Sequence, residues 1–103
     1  MKLRLHWSEK YQVVREYPSF ELDSEEFPEL ELEMLQVHSA GSAEARHIAL
    51  ANLEYKMHQV QPDGGETVFE MFGPHDPDKH QQSVLYNLGD EDCGSIQLTE
   101  EDK

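Results

Sequence analysis

Leu3, Leu5 and Trp7 alternate with Arg4 and His6, the period of two that marks a half-buried strand. Ser8-Glu9-Lys10 reads as a turn, and strand composition resumes from Tyr11 to Leu22 with Val13, Val14, Tyr17, Phe20 and Leu22. Pro18 interrupts this second run. A proline removes a ladder donor, so it requires an edge position or a bulge. The opening is therefore predicted as a β-hairpin. In Asp23-Ser24-Glu25-Glu26, Asp23 can cap and Glu26 stands three residues on, as in a capping box. Pro28 would fall inside a longer helix begun there, which limits the prediction to one turn.

Glu29-Leu30-Glu31-Leu32-Glu33-Met34 supports two readings. It alternates as a strand does, yet Glu, Leu and Met are helix formers. As a strand over residues 29–37 it would set Glu29, Glu31 and Glu33 about 6.6 Å apart on one face, with Leu30, Leu32 and Met34 inward. As a helix it would align Glu26, Glu29 and Glu33 at i, i+3, i+7. Ser39-Ala40-Gly41-Ser42 breaks the chain, and Ser42 caps a helix predicted from Ala43 to Val60. Ala49, Leu50, Leu53, Met57 and Val60 form its apolar stripe, Ala45 and Ile48 its margins, and His47, Glu54 and His58 lie opposite. Gln61-Pro62-Asp63-Gly64-Gly65 ends it. Thr67 to Phe72 is predicted as a strand, Gly73 to Gln82 as a polar loop, and Ser83 to Leu88 as the strand paired with it. Ser95 to Leu98 adds a short strand. The expected class is α+β, a small antiparallel sheet with one main helix packed on one face, in a single domain over residues 1–98; 99–103 form a frayed acidic tail.

Charge changes this picture most. Twenty-two acids stand against eight bases in 103 residues, a formal net charge of -14. A magnitude of about 2 to 8 suffices to keep a small domain soluble. The charge is also blocked: residues 16–45 contain no Lys or Arg and hold nine carboxylates, seven of them at Glu21, Asp23, Glu25, Glu26, Glu29, Glu31 and Glu33. A second knot lies at Asp90, Glu91 and Asp92. Such a surface repels nucleic acid phosphates and anionic membranes, so basic proteins are the expected partners. The N-terminus lacks the apolar core of a signal peptide, and the longest aliphatic run, Ile48-Ala49-Leu50-Ala51, is far too short to span a bilayer. The expected compartment is the cytoplasm.

Residue types that carry chemistry are sparse. His75-Asp76-Pro77-Asp78-Lys79-His80 gathers imidazoles and carboxylates, but its two neighbouring prolines, Pro74 and Pro77, fit a turn-rich loop and its spacing matches no zinc signature. Glu54 and His58 stand at i and i+4, an ordinary pairing on a helix surface. Cys93 is alone and sits beside Asp92, whose charge disfavours the thiolate. Neither a phosphate-binding glycine loop nor a paired-cysteine pattern occurs. These features predict no enzyme, no cofactor and no metal.

A short chain with no enzyme motif and a dense negative surface resembles, in size and charge, the small acidic anti-restriction and anti-CRISPR proteins of phages and other mobile elements. That resemblance implies a DNA mimic, which occupies the basic cleft of a nucleic-acid-handling complex such as a CRISPR or restriction effector without binding nucleic acid itself. The cytoplasm would then be that of a bacterial host. The expected binding residues are those of highest acid density: Glu21, Asp23, Glu25, Glu26, Glu29, Glu31 and Glu33, then Asp90, Glu91 and Asp92. The alternative is a small adaptor or antitoxin-like module that binds through a sheet edge at Tyr17, Pro18 and Phe20, with the acids serving solubility.

Overall fold

The computed structural model describes residues 1–10, 13–73, 78, 82–85 and 93–99. Its centre is the strand the N-terminal alternation predicts, extended beyond Trp7: β1 runs Lys2–Lys10, so Ser8-Glu9-Lys10 continue the strand where a turn was expected. Their backbone is held on both sides. Ser8 to Lys10 pair with β2 (Val13–Glu16), and Leu5 to Lys10 pair on the other edge with β5 (Cys93–Leu98).

The expected break at Pro18 takes the form of a bulge. Ser8 faces Glu16, a register that would set Leu5 opposite Ser19; instead Leu5 faces Phe20 of β3 (Phe20–Asp23). One additional residue has been absorbed over Tyr17-Pro18-Ser19. The Tyr17 N–H still donates to the Trp7 carbonyl, so the ladder survives up to the proline, which has no N–H to give. β2 and β3 are thus two halves of one broken strand along the same edge of β1. β4 (Gln82–Leu85) pairs with β2, not with the segment 67–72 as expected, and completes an antiparallel sheet of five strands.

Residues 24–26 form the single turn predicted there. The Asp23 Oδ1 accepts from the Glu25 N–H at 3.0 Å, and the Asp23 carbonyl accepts from Glu26 and Phe27. Phe27, with φ -126° and ψ 73°, then leaves the helical region. Pro28 consequently opens a new 3₁₀ turn, Pro28–Leu30, and occupies the first position, where a missing N–H is harmless. The ambiguous stretch resolves as helix: α1 covers Glu31–Ser39. Burial explains why. Leu30, Met34 and Val37 are all buried at helical spacing, whereas the strand reading would have turned Leu32 inward and left Val37 outside the stripe.

The principal helix, α2, spans Ala43–Met57, three residues shorter than expected, and Ser42 caps it by accepting the Ala45 N–H at 3.1 Å. Ala49, Leu50, Leu53 and Met57 are its buried stripe, as its periodicity predicts. The segment expected as a strand at Thr67 to Phe72 is instead a short helix, α3 (Val68–Phe72). Thr67 caps it through the Glu70 N–H, and Gly73 ends it at φ 59°. A local cap and a left-handed glycine outweighed the aromatic and β-branched composition. The helices and the inward face of the sheet enclose one core, in which Leu3, Leu5, Leu22 and Ile96 meet Leu30, Met34, Leu53, Met57 and Phe69. Trp7 meets Phe69 edge-on at 5.1 Å, and its indole lies so close over Gly94 that a Cβ there would overlap it. At the other end of the core Phe20 and Phe27 both contact Phe72. Thr99 is tied to the sheet through the Arg4 carbonyl; residues 100–103, the rest of the expected tail, lie outside the described residues.

Candidate functional site

The acidic block does not form the straight row that either reading of residues 29–37 had implied. The chain turns at 24–26, breaks at Phe27, turns again at 28–30 and only then becomes helix, so the carboxylates wrap around the start of α1. Their roles differ. Glu21 faces Arg4 across β1 and β3 and lies 3.7 Å from its Nη2 and 4.0 Å from the Lys2 Nζ. Asp23 is half-buried and spends one oxygen on the turn. Glu33 is half-buried in α1. Glu25, Glu26, Glu29 and Glu31 are exposed, and among the described residues no ion pair involves them. Glu31 and Glu33 stand in the first turn of α1 and Glu29 in the 3₁₀ turn before it, where the Leu30 and Glu31 N–H groups donate to the Phe27 and Pro28 carbonyls. Asp90, Glu91 and Asp92 lie outside the described residues, as does the side chain of Cys93.

The side chains of the sheet-edge contact expected of an adaptor are partly packed inward, although among the described residues β3 remains an edge strand of the sheet. Tyr17 is only 3% exposed, and Phe20 stacks on Phe72 with ring centroids 4.6 Å apart. Of that trio only Pro18 faces solvent fully.

Glu54 and His58 do not lie opposite the core as their spacing had implied. The Glu54 carboxylate is mostly covered, 3.6 Å from the His58 Nε2, and the His58 ring stacks on Phe69 at 4.0 Å. Burial raises the Glu54 carboxyl above its ordinary value near 4.5, and the charge of His58 and the Ile96 backbone pull it partly back. Among the described residues no group of three or more His, Cys, Asp or Glu is placed to hold a metal ion; of the loop His75 to His80 only Asp78 is described.

Periodicity missed an apolar surface on the helical pair. Leu32, Leu35, Ile48 and Tyr55 are exposed. The connection 40–42 folds α1 back beside α2, and between them runs an open groove of about 270 Å³ lined by Gln36, Ala40, Ala45, Ile48, Ala49 and Asn52. Buried small-molecule sites run from about 300 to 1,000 Å³. The signal was present in the sequence only after residues 31–39 are assigned to a helix, because Leu32 and Leu35 then fall away from Met34 and Val37.

Fold and surface together define an acidic α+β domain whose described helices are none of them long and apolar enough to cross a membrane. No family model, no curated protein and no solved structure matches the chain.

Proposed function

We propose that this chain is a non-enzymatic inhibitor acting in the cytoplasm, which binds the basic nucleic-acid-binding surface of a protein complex of the CRISPR or restriction-effector type in place of DNA. The observation that carries the reading is the exposure of Glu25, Glu26, Glu29 and Glu31 within seven residues, in a thirty-residue segment without Lys or Arg. Duplex DNA presents about one negative charge per 1.7 Å of axis. A dense carboxylate ridge competes for the same lysines and arginines, and the field of the whole molecule accelerates the encounter. Glu21 and Asp23 serve this surface indirectly, by holding the turn and the sheet against which the ridge is presented.

The test is capture from a bacterial lysate on the tagged protein, with nuclease treatment and a salt gradient, followed by duplex-DNA binding of the captured complex. The expected partner is basic, persists after nuclease, elutes at moderate salt and loses DNA binding when the chain is added. Glu26→Lys, Glu29→Lys and Glu31→Lys together should abolish that effect and leave the circular dichroism spectrum unchanged. A triple variant that displaces DNA as well as the parent overturns the assignment.

A further inference from the structure

The acidic ridge accounts for charge but not for the apolar surface beside it. Leu32 is 66% exposed, Leu35 43%, Ile48 55% and Tyr55 67%, on a domain that, among its described residues, buries sixteen other hydrophobic residues in one core. Leu32 and Leu35 share a face of α1 at i, i+3; Ile48, Asn52 and Tyr55 share a face of α2 at i, i+4, i+7. Gln36, one turn on from Leu32, lines the same groove as Ile48 and Asn52, so the two faces join across it. The result is a two-helix platform: a shallow channel lined by Gln36 and Ala40 of the α1 side and Ala45, Ile48, Ala49 and Asn52 of α2, with Leu32, Leu35 and Tyr55 exposed elsewhere on the same two helices. A helix laid along such a channel meets it with one apolar side.

Charge selects the occupant. From Glu16 to Tyr55 the only Lys or Arg is Arg46, and along α1 and α2 up to Tyr55 it stands against Glu31, Glu33, Glu44 and Glu54. Glu31 adjoins Leu32, and Glu44 lies one turn before Ile48 on the same stripe, so the platform is bounded by carboxylates at opposite ends of the helical pair. A second copy of the chain would bring a charge of -14 against another -14, with these same glutamates in a self-complementary interface. An anionic membrane is repelled in the same way. We infer that the α1–α2 face docks an amphipathic helix of a partner protein, with leucine-like side chains in the groove and lysines or arginines against Glu31 and Glu44. This goes beyond the acidic-surface reading: it adds an apolar, shape-dependent contact to a charge-dependent one.

The probe is a fluorescein-labelled designed peptide of about 15 residues, matching α2 in length, with leucines on one helical face and lysines and arginines on the other; the control is an isomer of identical composition without an amphipathic face. Anisotropy titration should give at least roughly tenfold tighter binding of the amphipathic form, and Leu32→Ser with Ile48→Ser should remove most of that preference. Met71→Ser, an exposed methionine on α3 outside the helical pair, should bind as the parent does, and circular dichroism should show all variants equally helical. Equal binding of the two isomers, an unchanged preference in the Leu32→Ser/Ile48→Ser variant, or a concentration-dependent dimer that this variant abolishes would each overturn the proposal. The two readings fail separately. Failure of the parent chain to displace DNA, or equal displacement by the Glu26→Lys/Glu29→Lys/Glu31→Lys variant, with the isomer preference intact removes the mimic, whereas displacement by parent and Leu32→Ser/Ile48→Ser alike, with no isomer preference, removes the docking face.

Discussion

Glu54 shows how one side chain departs from what its position in the sequence implies. Its spacing from His58 describes a solvated pair, but α2 lies against β5, and the Ile96 backbone and the His58 ring cover the carboxyl. The raised proton affinity has a definite consequence for stability. Between the ordinary value near 4.5 and the raised one, the native state holds a proton that the unfolded chain has released, so this group's contribution to stability falls as pH rises through that window. Above it, burial of the charge exceeds the return from His58. Glu54→Gln should therefore be slightly more stable than the parent at about pH 7, by less than about 1 kcal/mol, and indistinguishable from it at about pH 4. Urea midpoints at the two pH values check this; a parent more stable than the variant at neutral pH would mean that the His58 attraction dominates.

At the scale of elements, the informative case is residues 28–39. Alternation of Glu with Leu or Met is compatible with both periods, and nothing in six residues chooses between them. The choice came from what the segment packs on. Only a helix delivers Leu30, Met34 and Val37 together to the core, and Phe27, buried just before Pro28, sets the angle at which that helix begins. The two readings make opposite statements about Leu32 and Met34, which a strand would place on the same face. Met34→Ala should lower stability by about 2–5 kcal/mol as a buried cavity forms, while Leu32→Ala should change it by no more than about 0.5 kcal/mol. Comparable losses in chemical denaturation would restore the strand. The same competition explains α3: Thr67 and Gly73 fix both ends of a five-residue helix, and Val68 and Phe69 fill the core from it as fully as a strand would have done.

For the molecule as a whole, charge opposes folding, and in the proposed function it favours binding. A net charge of -14 on a domain whose acidic segment has its described ion pairs only at Glu21 repels itself, and added salt relieves that repulsion. The thermal midpoint should rise by a few degrees, about 2–8 °C, between roughly 50 and 500 mM sodium chloride. Over the same range, capture of a basic partner by the Glu25 to Glu31 ridge should weaken steeply. A midpoint that falls with salt would show that the Lys2, Arg4 and Glu21 pairs outweigh the repulsion.

The sequence by itself determined the fold class, β1, the broken second strand, the turn at 24–26 and the core stripe of α2, because each rests on local information: a period of two or 3.6, a proline that cannot donate, a serine that can cap. It also determined the density of the acidic block, which is a property of composition. Tertiary structure alone decided that Ser8 to Lys10 extend β1, that β4 joins β2, that residues 31–39 are helical, and that Tyr17 and Phe20 pack inward. It also gave Glu21 and Asp23 partners within the fold and left Glu25, Glu26, Glu29 and Glu31 without an ion pair among the described residues, and it exposed the α1–α2 apolar face. These outcomes depend on which surfaces a segment meets across the domain, and burial against a distant partner is a free energy that no short window of sequence contains.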